Sequence, residues 1–221
     1  MGVPVTSTAL IIGASRGIGL ELVTQYAGAG WTVHGTTRSI DQPGPVASIA
    51  GDITLHQLEV RSEKDLRQLR ASLIDTPIDV LIHSAGVYRN TPRDEIMAVN
   101  AEAPIRIAEA LLENVAASNL RRLALITSQL GARRGRTGSL GDYGDSKAAL
   151  NDAFRARASE WAARGVRAIV IHPGWVSTDM GGASAPVSVH DSAWGIRNVM
   201  DSLTAEMHGR FWTWDGREHE W

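Results

Sequence analysis

The segment Gly13-Ala14-Ser15-Arg16-Gly17-Ile18-Gly19, which directly follows the apolar run at residues 9–12, decides the fold of this chain. A helical pattern at residues 20–23 comes next, so a strand, a tight turn and a helix are predicted in that order. Glycines let a turn approach a ligand without a Cβ clash, and a helix N-terminus presents free N–H groups with a partial positive charge. The predicted phosphate contacts are Gly13, Ser15, Arg16, Gly17, Ile18 and Gly19.

Outward from this turn, short apolar runs alternate with amphipathic stretches. The runs that predict buried strands are residues 9–12, 32–36, 78–83, 123–127 and 168–172, with weaker candidates at 55–60 and 210–214. Helical patterns begin near Gly17, Glu63, Asn100 and Gly144, and a later one covers residues 189–203. The alternation predicts an α/β fold in one domain over residues 1–221: a Rossmann-like, doubly wound sheet of about seven parallel strands with helices on both faces. The loop at residues 39–52 shows no helix signal and is expected to be exposed.

Composition narrows the range of functions. The 221 residues are 43% hydrophobic and 21% charged, a globular balance, and the net charge is −2 with basic residues scattered along the chain. No nucleic-acid or anionic-membrane partner is therefore expected, and a small-molecule substrate is favoured. The absence of cysteine excludes disulfides and thiolate metal sites, so no metal is predicted and the cytoplasm is the expected location. No apolar run approaches the ~20 residues that span a bilayer, and residues 1–8 lack a signal-peptide pattern.

The end of the second predicted strand indicates which dinucleotide the turn would bind. A Rossmann site for NAD places an Asp or Glu there to hold the ribose 2′-hydroxyl. Here the strand ends Gly35-Thr36-Thr37-Arg38, without an acid. Arg38, together with Arg16 in the turn, could pair with a 2′-phosphate through forked hydrogen bonds. The sequence therefore predicts NADP(H) as the cofactor.

A second constellation lies in Tyr143-Gly144-Asp145-Ser146-Lys147. Residues four apart project from the same helix face, so Tyr143 and Lys147 can share one substrate. A phenol has a reference pKa of ~10, and adjacent cations such as a Lys ammonium and an oxidised nicotinamide stabilise the phenolate. We therefore expect a lowered pKa for Tyr143 and proton exchange near neutrality.

The order of these motifs resembles the short-chain dehydrogenase/reductase family over nearly the whole chain. Besides the glycine turn and the Tyr/Lys pair, the resemblance rests on His83-Ser84-Ala85-Gly86, Asn100, Ser128 and Pro173-Gly174. Several segments are similar to the C-factor-like carbonyl reductase branch of this family. They are His172-Pro173-Gly174-Trp175-Val176-Ser177-Thr178-Asp179-Met180, Val99-Asn100 with Ala103-Pro104, and Gly209-Arg210-Phe211 with Asp215-Gly216.

The resemblance implies an NADPH-dependent oxidoreductase that moves hydride between the nicotinamide and a carbonyl or secondary alcohol. It implies that Tyr143 is the proton donor or acceptor, Lys147 binds the nicotinamide ribose, Ser128 orients the carbonyl and Asn100 holds a relay water. It also implies a homodimer or homotetramer. The remaining cofactor contacts would come from Arg38, Glu59, Val60, Ser84, Ala85, Gly86, Tyr143, Lys147, Pro173, Gly174, Val176 and Thr178.

Two departures and two alternatives accompany the resemblance. Ile12-Gly13 replaces the usual Thr-Gly, and His83-Ser84 replaces the common Asn-Asn, so His83 is interpreted as a structural residue. The stretch at residues 181–186 is short, so an open active site is expected. A nucleotide-binding signalling protein of C-factor type, without strong catalysis, is one alternative function. An NAD-dependent alcohol dehydrogenase with the same catalytic residues is the other.

Two further features have a structural and a functional interpretation. The cluster Arg133, Arg134 and Arg136 could recruit an anionic substrate, but a solvated loop is favoured. Trp212, Trp214 and Trp221 could edge the substrate pocket, but packing in the core or at an interface is favoured.

Overall fold

The computed structural model describes residues 6–134 and 138–221 and contains one eight-stranded sheet in those ranges. The strands are β1 Thr8–Ile12, β2 Thr32–Thr37, β3 Ile53–Gln57, β4 Val80–His83, β5 Arg122–Ile126, β6 Arg167–His172, β7 Phe211–Thr213 and β8 Glu218–His219. Their order is β3-β2-β1-β4-β5-β6-β7-β8, and β1 to β7 pair in parallel. The predicted doubly wound parallel sheet is confirmed. The expected count of about seven omits β8, which pairs antiparallel with β7 through a tight hairpin.

The helices connect successive strands. They are α1 Gly17–Gly28, α2 Glu63–Ser72, α3 Arg93–Met97, α4 Ala103–Ala110, α5 Leu112–Ala116, α6 Gly141–Ala163 and α7 Val189–Asp201. The helix expected to begin near Asn100 starts at Arg93 instead, because Pro92 precedes it and ends the extended loop. A π-helical segment, Ala98–Glu102, joins α3 to α4 and contains Asn100. Helix α6 likewise begins three residues before Gly144, at Gly141.

The end of β3 and the loop at residues 39–52 differ from the sequence prediction. Strand β3 ends at Gln57 rather than Val60, because Leu58 leaves the ladder with only a backbone bond to Thr37 and the chain then turns toward α2. The loop at residues 39–52 contains a short 3₁₀ turn, Gly44–Ser48, which the pattern did not indicate because Gly and Pro begin it. Val46 of that turn is buried, while most of the loop is exposed.

Apolar side chains cover both faces of the sheet, as alternation along a parallel strand requires. Leu10 and Ile12 of β1 face a core built with α2, α4 and α6, whereas Ala9 and Ile11 face a core built with α1 and α7. Strand order reverses between β1 and β4, which are neighbours in the sheet. In doubly wound sheets this switch point opens a crevice at the carboxyl ends of the strands, where ligands bind.

Candidate active site

The glycine turn sits at the switch point and tolerates no added side chain. A Cβ on Gly13, whose φ is +87°, would lie 2.8 Å from the backbone nitrogen of Ala85, and one on Gly19 would lie 2.0 Å from the carbonyl oxygen of Gly13. Gly17 has φ +56°, a left-handed conformation that glycine adopts without strain. Helix α1 has no acidic residue in its first turn and no side-chain cap, so no capping side chain occupies the N–H groups at its N-terminus. This backbone is shaped to approach a phosphate.

The end of β2 adjoins this turn. The Thr36 hydroxyl accepts a hydrogen bond from the Gly13 N–H over 2.9 Å, and the Thr36 carbonyl accepts one from Ala14 over 2.8 Å. Arg38 follows as an exposed side chain with no ion pair to any residue of the described ranges. Arg16 is also exposed and pairs with Asp179 over 3.4 Å. Both arginines are therefore exposed, Arg16 within the glycine turn and Arg38 directly after the strand that bonds to it.

The other predicted nucleotide contacts lie at the ends of β3 and β4. The Glu59 carboxylate accepts a hydrogen bond from the Arg61 N–H over 3.2 Å, while the Glu59 N–H donates to Asp65. Val60 is buried beside it. At the end of β4, the Ser84 N–H donates to the Ile12 carbonyl over 2.9 Å, which brings Ser84, Ala85 and Gly86 against the glycine turn.

Asn100 uses its side chain to tie three segments together. Its Oδ1 accepts from the Val87 N–H over 2.9 Å, and its Nδ2 donates to the Val87 carbonyl over 2.9 Å and to the Ser146 hydroxyl over 3.1 Å. Both amide hydrogens are thus engaged with the protein. The Asn100 side chain anchors the loop after β4 to helix α6, and any water it held would have to bind the Oδ1 lone pair that remains.

Tyr143 and Ser128 meet at the carboxyl end of β5. A side-chain hydrogen bond joins the phenol to the Ser128 hydroxyl, which also accepts from the Leu130 N–H over 3.1 Å. Burial raises the pKa of Tyr143 to about 12, and the hydrogen bond from Ser128 offsets part of that rise. For the polypeptide by itself the expected lowering of the Tyr143 pKa is wrong, because desolvation of the phenol and, to a smaller extent, Tyr88 exceed the lowering by Ser128. The Nζ of Lys147 lies 5.8 Å from the ring centroid. The part of the expectation that depends on a bound nicotinamide stays a prediction.

Lys147 is buried one turn along the same helix, with 3% of its surface exposed. Burial lowers the pKa of its ammonium to about 8. The Nζ donates to the Ile126 carbonyl over 2.9 Å, and a Cβ on Gly86 would lie 3.9 Å from it. A Cβ built on Gly131 would lie 2.6 Å from the carbonyl carbon of Lys147. Because Gly131 has no side chain, the loop after β5 packs directly against helix α6. The lysine therefore faces the crevice between Gly86 and Tyr143.

The segment after β6 closes the other side of the crevice. Gly174 has φ +89°, and a Cβ there would lie 2.9 Å from the indole nitrogen of Trp214. Val176 forms an isolated bridge with Val187, and the Thr178 methyl lies 3.4 Å from a hypothetical Cβ on Gly17. Pro173, Gly174, Val176 and Thr178 are thus brought to the same edge as the glycine turn.

Sequence reasoning missed two residues that this site uses. The Tyr88 ring packs against the Tyr143 ring with centroids 4.8 Å apart, and the Ser146 hydroxyl donates to the Tyr143 carbonyl over 2.7 Å. The position of Ser146, three residues after Tyr143 on one helix, could have indicated its role. Nothing local indicated Tyr88, because its contact depends on how the loop after β4 folds over α6.

The features left open by the sequence have ordinary packing roles. Arg133 pairs with Asp152 over 3.0 Å and Arg134 pairs with Glu220, which favours the solvated-loop interpretation; Arg136 lies outside the described residues. Trp221 packs against Phe154 and Phe211, Trp212 donates to the Met207 carbonyl, and Trp214 lies over Gly174.

No helix within residues 6–134 and 138–221 combines the length and apolar character needed to cross a bilayer. No three histidine, aspartate or glutamate side chains there are gathered as a metal site would require.

Fold and site together define a class. The family model for short chain dehydrogenase matches residues 7–186, a span that contains the glycine turn, Ser128, Tyr143 and Lys147. The chain belongs to the short-chain dehydrogenase family, an oxidoreductase family, and the predicted resemblance is confirmed.

Individual relatives refine this placement. The chain is 36% identical to C-signal of Myxococcus xanthus over 168 residues, which cover 71% of this chain and 100% of that protein. Among solved structures, it is similar to the carbonyl reductase Sniffer of D. melanogaster, with 28% identity, a TM-score of 0.84 and coverage of 98% of this chain and 100% of that one. It is similar also to the NADPH-bound carbonyl reductase from chicken fatty liver, with 27% identity, a TM-score of 0.84 and coverage of 99% and 100%.

Proposed function

We propose that this protein is an NADPH-dependent carbonyl reductase in which Tyr143 donates the proton. The observation that carries the proposal is the hydrogen bond between the Tyr143 phenol and Ser128, one helical turn from the buried Lys147 ammonium. The proposed preference for NADPH is supported by Arg38 and Arg16 and by the similarity to an NADPH-bound carbonyl reductase. Assembly into a homodimer or homotetramer stays a prediction of the family resemblance.

The residues at the crevice fit a dinucleotide phosphate. Gly13 and Gly19 leave no room for a side chain, and the uncapped N-terminus of α1 offers N–H donors to a pyrophosphate. Arg38, exposed and outside any ion pair of the described residues, would hold the 2′-phosphate. Lys147, between Gly86 and Tyr143, would bind the nicotinamide ribose.

The residues then account for carbonyl reduction. Bound NADPH supplies the hydride. Negative charge that builds on the carbonyl oxygen would be stabilised by hydrogen bonds from Ser128 and Tyr143, and the phenol then gives up its proton. With its pKa raised to about 12, Tyr143 is protonated throughout the neutral range and is ready to donate. Asn100 and Ser146 hold the loop after β4 and helix α6 in the geometry that this transfer needs.

A cofactor titration and a mutant pair test the proposal. NADPH and NADH are titrated by energy transfer from the tryptophans, and ketones and aldehydes are then screened for turnover with the preferred cofactor. Tyr143→Phe should lower kcat/KM by about 10²–10⁴-fold, because a positioned acid contributes that much. NADPH affinity should change far less, since Tyr143 is one of many predicted cofactor contacts. Tyr88→Phe is the matched control: it removes the neighbouring hydroxyl and should keep activity within a few-fold. Unchanged turnover in Tyr143→Phe would refute the assignment.

The two alternatives are separated by the same measurements. The similarity to C-signal supports a nucleotide-binding signalling role, which predicts NADPH binding without turnover of any carbonyl. An NAD-dependent alcohol dehydrogenase predicts tighter binding of NADH than of NADPH. The intact set of Ser128, Tyr143 and Lys147 favours catalysis over signalling, and the absence of an acid at residues 35–38 favours NADPH.

A further inference from the structure

One guanidinium of helix α3 bonds two carboxylates at the start of helix α6. The Nη1 of Arg93 donates to the Asp142 carboxylate over 2.5 Å and to the Asp145 carboxylate over 3.2 Å. Along the chain, Asp142 directly precedes Tyr143, and Asp145 follows Tyr143 by two residues. The proposed proton donor therefore lies between two residues that α3 holds through a single side chain.

Asp145 also fixes the segment that leads into α6. One oxygen of its carboxylate accepts from the Leu140 N–H over 2.9 Å, and the other accepts from the Ser139 hydroxyl over 2.9 Å. These hydrogen bonds, and to a smaller extent the ion pair with Arg93, hold the pKa of Asp145 below its ordinary value. Leu140 is the N-cap residue of α6 and provides no capping side chain. Helix ends without a cap are less stable, so the order of this first turn depends on the Asp145 carboxylate.

Arg93, Asp142 and Asp145 form a network rather than an isolated ion pair. An exposed ion pair by itself contributes little, because water screens the two charges. Here both carboxylates bond the same nitrogen, so removal of the cation leaves two like charges close together. Their repulsion acts on the turn that carries Tyr143. The Arg93 side chain is 56% exposed, so its loss creates no cavity in the core and leaves the sheet intact.

Two further contacts join the same part of the chain to α6. The Tyr88 ring packs against the Tyr143 ring, and Asn100 donates to the Ser146 hydroxyl over 3.1 Å. Tyr88 and Asn100 lie on either side of Arg93 along the chain. The three contacts together hold the first turn of α6 in one position. This position matters because proton transfer requires hydrogen-bond reach, and a displacement of about 1 Å can lower a rate about 100-fold.

We propose that Arg93 is a positioning residue for proton transfer, which places the Tyr143 phenol at the carbonyl oxygen by holding the first turn of α6. The inference rests on the proposed reductase function, which it deepens by naming the residue that orders the proton donor. Lys147, one turn further along, keeps its own bond to the Ile126 carbonyl. Loss of Arg93 should therefore slow the chemical step and leave NADPH binding almost unchanged.

Three substitutions test the positioning role. Arg93→Met removes the cation and should lower kcat for a ketone about tenfold, with the dissociation constant of NADPH within about twofold of the wild type. The solvent isotope effect on kcat should increase, because proton transfer from a displaced phenol limits the rate more strongly. Arg93→Lys keeps a cation beside the two carboxylates and should recover most of the lost kcat. Arg210→Met is the matched control: Arg210 forms an exposed ion pair with Glu218 over 2.9 Å, and its loss should leave kcat unchanged.

Unchanged kcat in Arg93→Met would overturn the inference. Equal losses of kcat in Arg93→Met and Arg93→Lys would overturn it too, because the charge would then have no part in the effect. Thermal melting and the NADPH titration are repeated on every variant. A parallel fall of kcat, NADPH affinity and melting temperature in Arg93→Met indicates general loss of structure and also rejects the positioning role.

A measurement without turnover keeps this inference separate from the reductase proposal. Amide hydrogen exchange at residues 145–148 reports opening of the first turn of α6, because their N–H groups bond back to residues 141–144. Exchange there should be faster in Arg93→Met than in the wild type and in Arg210→Met, and unchanged exchange refutes the role of Arg93. If the wild type reduces no carbonyl with either cofactor, the reductase proposal fails, and the exchange measurement still decides whether Arg93 orders this turn.

Discussion

The ammonium of Lys147 donates a hydrogen bond to the backbone carbonyl of Ile126 over 2.9 Å, and so joins helix α6 to the last residue of strand β5. This bond fixes a buried charge beside the proposed proton donor. One carbonyl replaces only part of the hydration that the ammonium has in water. Burial accordingly lowers the pKa of Lys147 to about 8, which has consequences for both activity and stability.

The first prediction concerns the pH dependence of cofactor capture. The Lys147 ammonium is charged below its pKa of about 8 and loses its charge as pH rises through that value. We expect kcat/KM for NADPH, measured at saturating carbonyl, to be level near pH 7 and to fall up to tenfold per unit above pH 8, since this parameter reports the free enzyme. Tyr143 stays protonated over this range. Lys147→Arg, whose guanidinium keeps its charge, should lose the decline; a decline that persists in it would contradict the assignment.

The second prediction is that the same lysine lowers stability. Lys147→Met keeps the length of the side chain and removes the buried charge. The shift of the Lys147 pKa from 10.5 to about 8 corresponds to about 3.5 kcal/mol at about 1.4 kcal/mol per unit, and loss of the hydrogen bond to Ile126 offsets about 1 kcal/mol, so the free energy of unfolding at pH 7 should rise by roughly 2–3 kcal/mol. The lowered folded pKa means that the unfolded chain binds more protons between about pH 8 and 10.5, so wild-type stability rises across that window. The difference in the free energy of unfolding between Lys147→Met and the wild type should therefore shrink between about pH 8 and 10.5. Urea unfolding of both proteins from pH 7 to 10.5 measures it, and a less stable Lys147→Met at pH 7 would show that the bond to Ile126 outweighs desolvation.

The third prediction concerns Arg38 and cofactor choice. Arg38→Asp should weaken NADPH binding by about 10–100-fold, because a hydrogen bond to a charged group contributes roughly 1.5–3 kcal/mol, and should leave NADH affinity equal or improved. Dissociation constants for both nucleotides, read by tryptophan energy transfer, give the result. Arg70→Asp is the matched control, since Arg70 is exposed in the last turn of α2 and should leave the preference unchanged. An NADPH preference that survives Arg38→Asp would remove the 2′-phosphate assignment.

The fourth prediction concerns acid stability and His83. Burial, with a smaller contribution from Lys147, lowers the pKa of His83 to about 3. The unfolded chain takes up this proton near pH 6.5, so the stability that depends on neutral His83 is lost as pH falls from about 6.5 toward 3. Between pH 6.5 and 5 the loss should be about 2 kcal/mol for this residue. His83→Asn should abolish that part of the loss.

The comparison for His83 needs a reference pH and a control. Urea unfolding at pH 7.5 gives the pH-independent effect of His83→Asn, and the difference between pH 7.5 and pH 5 isolates the proton. His190→Asn, which removes an exposed histidine from α7, should leave the acid-dependent loss in place. If His83→Asn loses as much stability toward pH 5 as the wild type, His83 does not carry the proton uptake.

Much of the fold was predictable from the sequence because it rests on local signals. Apolar runs of strand length and the strand-turn-helix order at Gly13 to Gly19 predict the parallel sheet correctly. The start of the helical segment that contains Asn100 was not predictable, because π-helical residues 98–102 join two short helices whose register depends on packing against α6. Strand β8 is two residues long and exists only as the partner of β7, so its own sequence carries no strand signal.

For the site, the sequence by itself determined which chemical groups are present and in what order: a glycine turn, Arg38, Asn100, Ser128, Tyr143 and Lys147. Only the tertiary structure decided their protonation and their partners. The rise in the pKa of Tyr143 and the bond from Lys147 to Ile126 both come from burial and from residues distant along the chain. Spacing along a helix determines which face a side chain shares, but desolvation is set by everything packed around it, and that is a property of the folded chain.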